Sequence, residues 1–294
     1  MRLVARVASV TTYPPSVLDP TWLRLVDDAA IFPPGDAPLP EATATYVART
    51  PEDGAELVGS FVARDTDLPM LRGFRGPVSV VVTGGAGQIA GPVSLCAKLG
   101  LHLAGLEIAL RDLDDLAGNV RRVAVAVDAA RYDELLDFET PIYVELPVIS
   151  PMGPWGDAIE HMREHDLLLK IRTGGTDAGA FPRTGELADR LDLQQAYAIP
   201  FKCTAGLHHA VRHTDPQTGF EHHGFLNVLM AVARYWEGAT VPEIGDLLDR
   251  RDGPQLAADS RSLDLAGARR WFRSFGSCSV AEPWADLREL GLVA

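Results

Sequence analysis

Lysine is scarce in this chain of 294 residues: of 27 lysines and arginines together, only Lys98, Lys170 and Lys202 are lysine. Wherever a positive charge alone suffices the sequence uses arginine, which stays protonated and cannot act as a nucleophile. A desolvated lysine can lose its proton and attack a carbonyl. Two of the three lysines fall close together, Lys170 in Leu-Leu-Leu-Lys-Ile-Arg-Thr-Gly-Gly (167–175) and Lys202 in Ile-Pro-Phe-Lys-Cys-Thr-Ala-Gly-Leu-His-His (199–209). Both segments read as short apolar strands, and side chains alternate along a strand. Lys170 and Arg172 therefore share one face, and Lys202 shares a face with Thr204. The same alternation turns Glu107 inward on an earlier strand and Glu145, with Tyr143, inward on the next.

Four neighbouring strands thus contribute one charge each, two negative and then two positive. Buried charges are expensive unless paired. One arrangement that uses them is a carbonyl-processing site, in which one lysine forms a Schiff base, a second cation depresses its pKa and a carboxylate moves protons. Glu107, Glu145, Lys170 and Lys202 are its catalytic candidates. A structural alternative is an ion-pair network without chemistry, in which Arg172 pairs with Glu145.

Three motifs in order resemble those of the deoxyribose-phosphate aldolase group of class I aldolases. Lys170-Ile-Arg-Thr-Gly is similar to that group's sixth-strand Lys-x-x-Thr-Gly, and Lys202-Cys-Thr-Ala-Gly-Leu to its seventh-strand Lys-x-x-Gly-Gly-Ile. Phe275-Gly-Ser-Cys-Ser resembles its eighth-strand Phe-Gly-x-Ser-Ser. The resemblance implies a TIM barrel, Lys170 as the Schiff-base lysine, Lys202 as the neighbour that depresses its pKa, and Glu107 in the place of an aspartate. It also implies phosphate binding through backbone amides at Gly206 and Ser277, with Thr173, Thr204 and Ser279 among the substrate contacts. The departures are the glutamate at 107, Arg172 where the group has a small polar residue, and a much longer connection after the seventh strand. They point to a distant relative with a different, small and anionic carbonyl substrate, whose carboxylate or phosphate Arg172 would hold. No cofactor is implied.

The elements that must position these residues alternate as short apolar strands and helices. Strands are expected at Ala29–Pro33, Ser60–Ala63, Val78–Thr83, Ala104–Leu110, Ile142–Pro147, Leu167–Thr173, Pro200–Ala205 and Phe275–Val280. Helices are expected at Thr21–Val26, Glu41–Thr50 and on to about Leu57, Pro92–Leu99, Trp155–Glu164 and Thr184–Ala196. Leu113–Asp137 is ambiguous, because Val123, Val125 and Val127 alternate like a strand; its length and alanine content favour a helix. Eight such repeats favour an α/β fold of the closed (β/α)8 type over an open sheet. The reading is one domain over 1–294, with a long helical insertion between strands seven and eight (Phe225–Trp236, Val241–Leu248 and Ala266–Phe272) and a closing helix at Ala281–Leu290.

Five of eight histidines, His208, His209, His213, His222 and His223, lie between Gly206 and Gly224. His208 and His209 are candidate substrate or acid/base contacts. The cluster also opens a rival reading, a metal-dependent hydrolase or lyase using imidazoles with Glu145, Glu221 or Asp28. A third reading is a non-catalytic anion-binding barrel. Asp27, Asp28 and Cys278 have no assigned role, the last for want of an orienting base, and Cys203 reads as a buried structural thiol.

The net charge of −13 argues against nucleic-acid and anionic-membrane partners. No apolar run reaches membrane-spanning length, and the arginine-interrupted start of the chain does not read as a signal peptide. Three widely spaced cysteines fit a reduced cytoplasm. A homo-oligomer is compatible with all of this.

Overall fold

Eight parallel strands close on themselves in the order β1-β10-β7-β6-β5-β4-β3-β2. The computed structural model describes residues 18–110, 112, 114–148 and 154–294, so the start of the chain and Leu113 lie outside the described residues. The barrel strands are β1 (Val26–Asp28), β2 (Val58–Arg64), β3 (Pro77–Val82), β4 (His102–Ala109), β5 (Ile142–Glu145), β6 (Leu168–Arg172), β7 (Phe201–Thr204) and β10 (Phe272–Ser277). Strands β8 (His213–Thr214) and β9 (Glu221–His222) form a separate antiparallel hairpin. With helices between successive strands, this is an α/β fold consistent with a TIM barrel. Among the described residues no helix is long and apolar enough to cross a membrane.

Apolar periodicity explains the elements. In the ambiguous segment the chain forms a helix, Leu116–Tyr132, started by Asp115, whose carboxylate accepts from the Gly118 amide at 2.7 Å. A strand would have put its three valines on one face. Instead Val120, Val123 and Val127 are buried and Val125 is 68% exposed, the 3.6-residue period of a helix.

Two expectations fail at the ends of the sheet. The first strand is Val26–Asp28, not Ala29–Pro33, which forms turns; nor do Thr21–Arg24 form a helix. The apolar Ala-Ala-Ile-Phe looked more strand-like than Val-Asp-Asp, yet Asp27 is a polar residue that the barrel interior requires. The last strand begins at Phe272, three residues before its expected start, and the helix before it stops at Ala268. Phe272 pairs in register with Phe201, and the two rings stack with centroids 5.2 Å apart. This stacking makes Phe272 part of the sheet.

Between β7 and β10 the chain runs through the hairpin and the helices Phe225–Trp236, Val241–Asp249, Gly253–Ser260 and Leu265–Ala268. Helix Phe225–Trp236 is buried along almost its whole length and packs through Phe225 on Phe275. The loops after β6 and β7 meet at two glycines. A Cβ on Gly174 would lie 2.7 Å from the Gly206 Cα, and Gly206 itself has φ of +77°. Because backbone cannot yield as a side chain can, Gly174→Ala should lower stability by roughly 1–3 kcal/mol in urea unfolding; an unchanged midpoint would show that the two loops do not pack this closely.

Candidate functional site

The register of the sheet decides which side chains meet. Lys170 pairs with Lys202 across β6 and β7, and Glu145 pairs with Lys170 across β5 and β6. Glu107, on β4, reaches both lysines: its Oε1 accepts from Lys202 at 2.6 Å and its Oε2 from Lys170 at 2.8 Å. Lys170 also contacts Glu145 at 2.9 Å, and Glu145 receives the Arg172 Nε at 2.7 Å. On the other side Lys202 donates to Asp27 at 2.6 Å.

The result is one connected chain of six charges in strictly alternating sign: Asp27, Lys202, Glu107, Lys170, Glu145, Arg172. Beyond Asp27 exposure rises along it, from 1% for the Lys202 side chain through 6% for Lys170 to 35% for Arg172, the last residue of β6. Arg172 therefore lies at the carboxyl-end mouth of the barrel, where it also donates to the Gly174 carbonyl at 3.3 Å.

Asp27 is the member that sequence reasoning did not assign. Its Oδ1 accepts from the Ser60 amide and hydroxyl, and its Oδ2 accepts from the Ser274 hydroxyl as well as from Lys202. Four donors on one buried carboxylate satisfy it fully. The available signal was a pair of carboxylates in an otherwise apolar stretch, one of which had to face inward. Asp28 pairs instead with Arg49 at 2.9 Å, outside the chain of six. Tyr143 packs its ring 5.2 Å from the Lys202 ammonium, a cation–π contact.

The electrostatics favour ions throughout. Burial alone would raise the Glu107 carboxyl, but Lys170 and Lys202 outweigh burial and hold it at about 2. Burial would likewise raise Glu145, and Lys170 with Arg172 reverses that. Burial pushes the Lys170 ammonium down, yet Glu107 and Glu145 more than compensate and its pKa is raised; Lys202 lowers it only as a smaller effect. For Lys202, too, burial is outweighed by Asp27 and Glu107, and its pKa rises. In this state both lysines are cations. The expected depression of the Lys170 pKa by Lys202 is present in sign but does not prevail.

The residues expected at the mouth divide in two. Thr204 is half-buried at the end of β7, and Ser279 is half-buried with its hydroxyl turned to the Glu282 amide at 3.3 Å. Thr173 and Ser277 are fully buried, and their hydroxyls donate to the carbonyls of Ala205 and Ser279. These two side chains hold the loops rather than face the mouth. Gly206, expected among the phosphate contacts, turns the loop after β7 and accepts from His222 through its carbonyl.

The histidines pack on one another. His209 and His213 meet edge to face at 4.6 Å, and His213 lies 5.1 Å from its hairpin partner His222. Their nitrogens face separate partners: His208 faces Glu282, His209 faces Asp286, His213 the Val211 carbonyl and His223 the Pro182 carbonyl. Among the described residues no three His, Cys, Asp or Glu side chains converge as a metal would require. Cys203 is fully buried and Cys278 half-buried. Cys278 does have an imidazole beside it, His208 at 3.8 Å, but burial pushes the thiol up to about 11 and keeps it neutral.

No protein-family model matches the chain, and comparison with curated proteins finds no match.

Removing one partner of a buried pair costs more than the pair contributes, since it strands the other charge. Lys202→Met leaves Asp27 and Glu107 short of a shared cation and should destabilise the protein by about 3–5 kcal/mol in chemical denaturation. A loss below about 1 kcal/mol would mean that the network is not closed as described.

Proposed function

We propose that this protein is a class I aldolase-type lyase, in which Lys170 forms an imine with a small carboxylated or phosphorylated carbonyl compound. The observation that carries the reading is a pair of ammonium groups sharing Glu107, with Glu145 on the far side of Lys170 and Arg172 above it at the mouth. A simple structural pair needs neither a second lysine nor a second carboxylate. A non-catalytic anion binder would need unpaired cations inside the barrel, and Lys170 and Lys202 are both paired.

In this reading Lys170 is the nucleophile because its side chain is the more exposed of the two and its second carboxylate, Glu145, also receives Arg172. It must first surrender a proton, and Glu107 and Glu145 are the acceptors within reach. The neutral amine then adds to the carbonyl carbon, and loss of water leaves an iminium that withdraws electrons from the bond to be broken or made. Glu145 returns protons to the departing oxygen. Arg172 holds the substrate anion with the guanidinium edge that Glu145 leaves unused. The connection after β7 is the helical insertion of a (β/α)8 TIM barrel, and its loop brings His208 and His209 to the rim as further substrate contacts.

Because the Lys170 pKa is raised, its neutral fraction at pH 7 is small and grows about tenfold per pH unit. Borohydride reduction with a panel of short carboxylated and phosphorylated aldehydes and ketones should leave a mass adduct on Lys170, absent from Lys170→Met. Its yield should climb steeply from pH 7 to 9. No adduct at Lys170 across the panel at pH 9 would sink the proposal.

A further inference from the structure

The amino-terminal end of the barrel, opposite the Arg172 mouth, carries a half-open cavity of ≈ 1470 Å³. Strands β1, β2, β3, β5 and β10 each send a polar side chain to it near their starts: Asp27, Ser60, Ser79, Tyr143 and Ser274. The Ser60 and Ser274 hydroxyls are committed to Asp27, and Asp27 to Lys202. The Ser79 and Tyr143 hydroxyls are not committed. These residues are only 4% and 7% exposed, and neither hydroxyl makes a hydrogen bond to any described residue. Neither is among the sealed side-chain atoms that lack a partner, so both hydroxyls are reached from the cavity.

Three arginines stand on the lining, beside its carboxylates, in a chain whose net charge is −13. Arg24, Arg75 and Arg273 line the opening and are exposed. The guanidinium groups of Arg75 and Arg273 form no ion pair or hydrogen bond among the described residues, unlike Arg49, Arg172 and Arg212 elsewhere in the molecule. The acidic groups on the lining are Asp27, neutralised by Lys202; Glu56, which accepts the Leu18 amide; and Asp137 and Glu139, in the loop before β5. Leu101 and Leu136 give the same cavity an apolar wall.

We propose that this cavity binds a small organic oxyanion, a carboxylate or phosphate ester. Arg75 and Arg273 pair its charge, the Ser79 and Tyr143 hydroxyls donate to its oxygens, and the leucine wall takes its carbon skeleton. It is a site separate from the lysine mouth and does not depend on imine chemistry there.

Isothermal titration of the whole protein with citrate and with glycerol phosphate, at constant ionic strength against chloride, tests this. Saturable binding of at least one probe is expected. It should weaken tenfold or more in the doubly charge-reversed R75E/R273E protein and several-fold in Tyr143→Phe, whose ring is kept. In the Arg172→Met background, which removes the anion contact proposed at the opposite mouth, saturable binding should persist. Three results would each overturn the proposal: no saturable binding of either probe, binding lost in Arg172→Met, or binding that responds to the rim charges but not to Tyr143→Phe or Ser79→Ala, which would mark diffuse attraction without a built site.

Discussion

The bridge made by Glu107 between two lysine ammonium groups is the contact on which the interior of this barrel depends. Moving a single carboxylate or ammonium group out of water costs several kcal/mol even after relaxation. Here six charges sit in one connected line, and no two of like sign are neighbours in it. Taken together they carry no net charge, and every member touches at least two groups that satisfy it. Such an interior is tolerable because each charge is fixed by a strand of a closed sheet, so partners cannot drift apart without opening the barrel.

The same arrangement sets the terms for chemistry. A pocket that kept Lys170 neutral would have a ready nucleophile and two carboxylates facing each other without a cation between them. The structure has the opposite bias. Glu107 is held at about 2 and Lys170 above its ordinary value, so the resting site stores its reactivity as ion pairs. Moving one proton from Lys170 to a neighbouring carboxylate leaves the line neutral overall, which is why a site with paired acids and bases can change protonation state without importing charge. Arg172, partly exposed at the open end, is where an incoming anion first meets this line.

Much of this interior was legible from residue order alone. The two-residue period of a strand, applied to Glu107, Glu145, Lys170 and Lys202, is enough to turn all four inward, and the sheet register brings them together. What could not be read was long-range. Asp27 lies 175 residues from Lys202, and nothing in its own short strand announces the partner that makes a carboxylate acceptable there. Phe272 was given to a helix because its pairing with Phe201 is invisible locally. Thr173 and Ser277 are named as substrate contacts by resemblance to a family motif, which does not show the carbonyls that their hydroxyls meet. Helix Leu116–Tyr132, by contrast, yielded to periodicity, because burial of one face is a local property of the sequence.

With only three lysines in the chain, the protonation of the central pair can be watched directly. Carbon-13 labelling at lysine Cε and an NMR titration of the free protein give one signal each for Lys98, Lys170 and Lys202. The account predicts that the Lys170 and Lys202 signals stay those of ammonium groups through pH about 10.4, the ordinary lysine value. A signal from either that titrates well below that pH would contradict it.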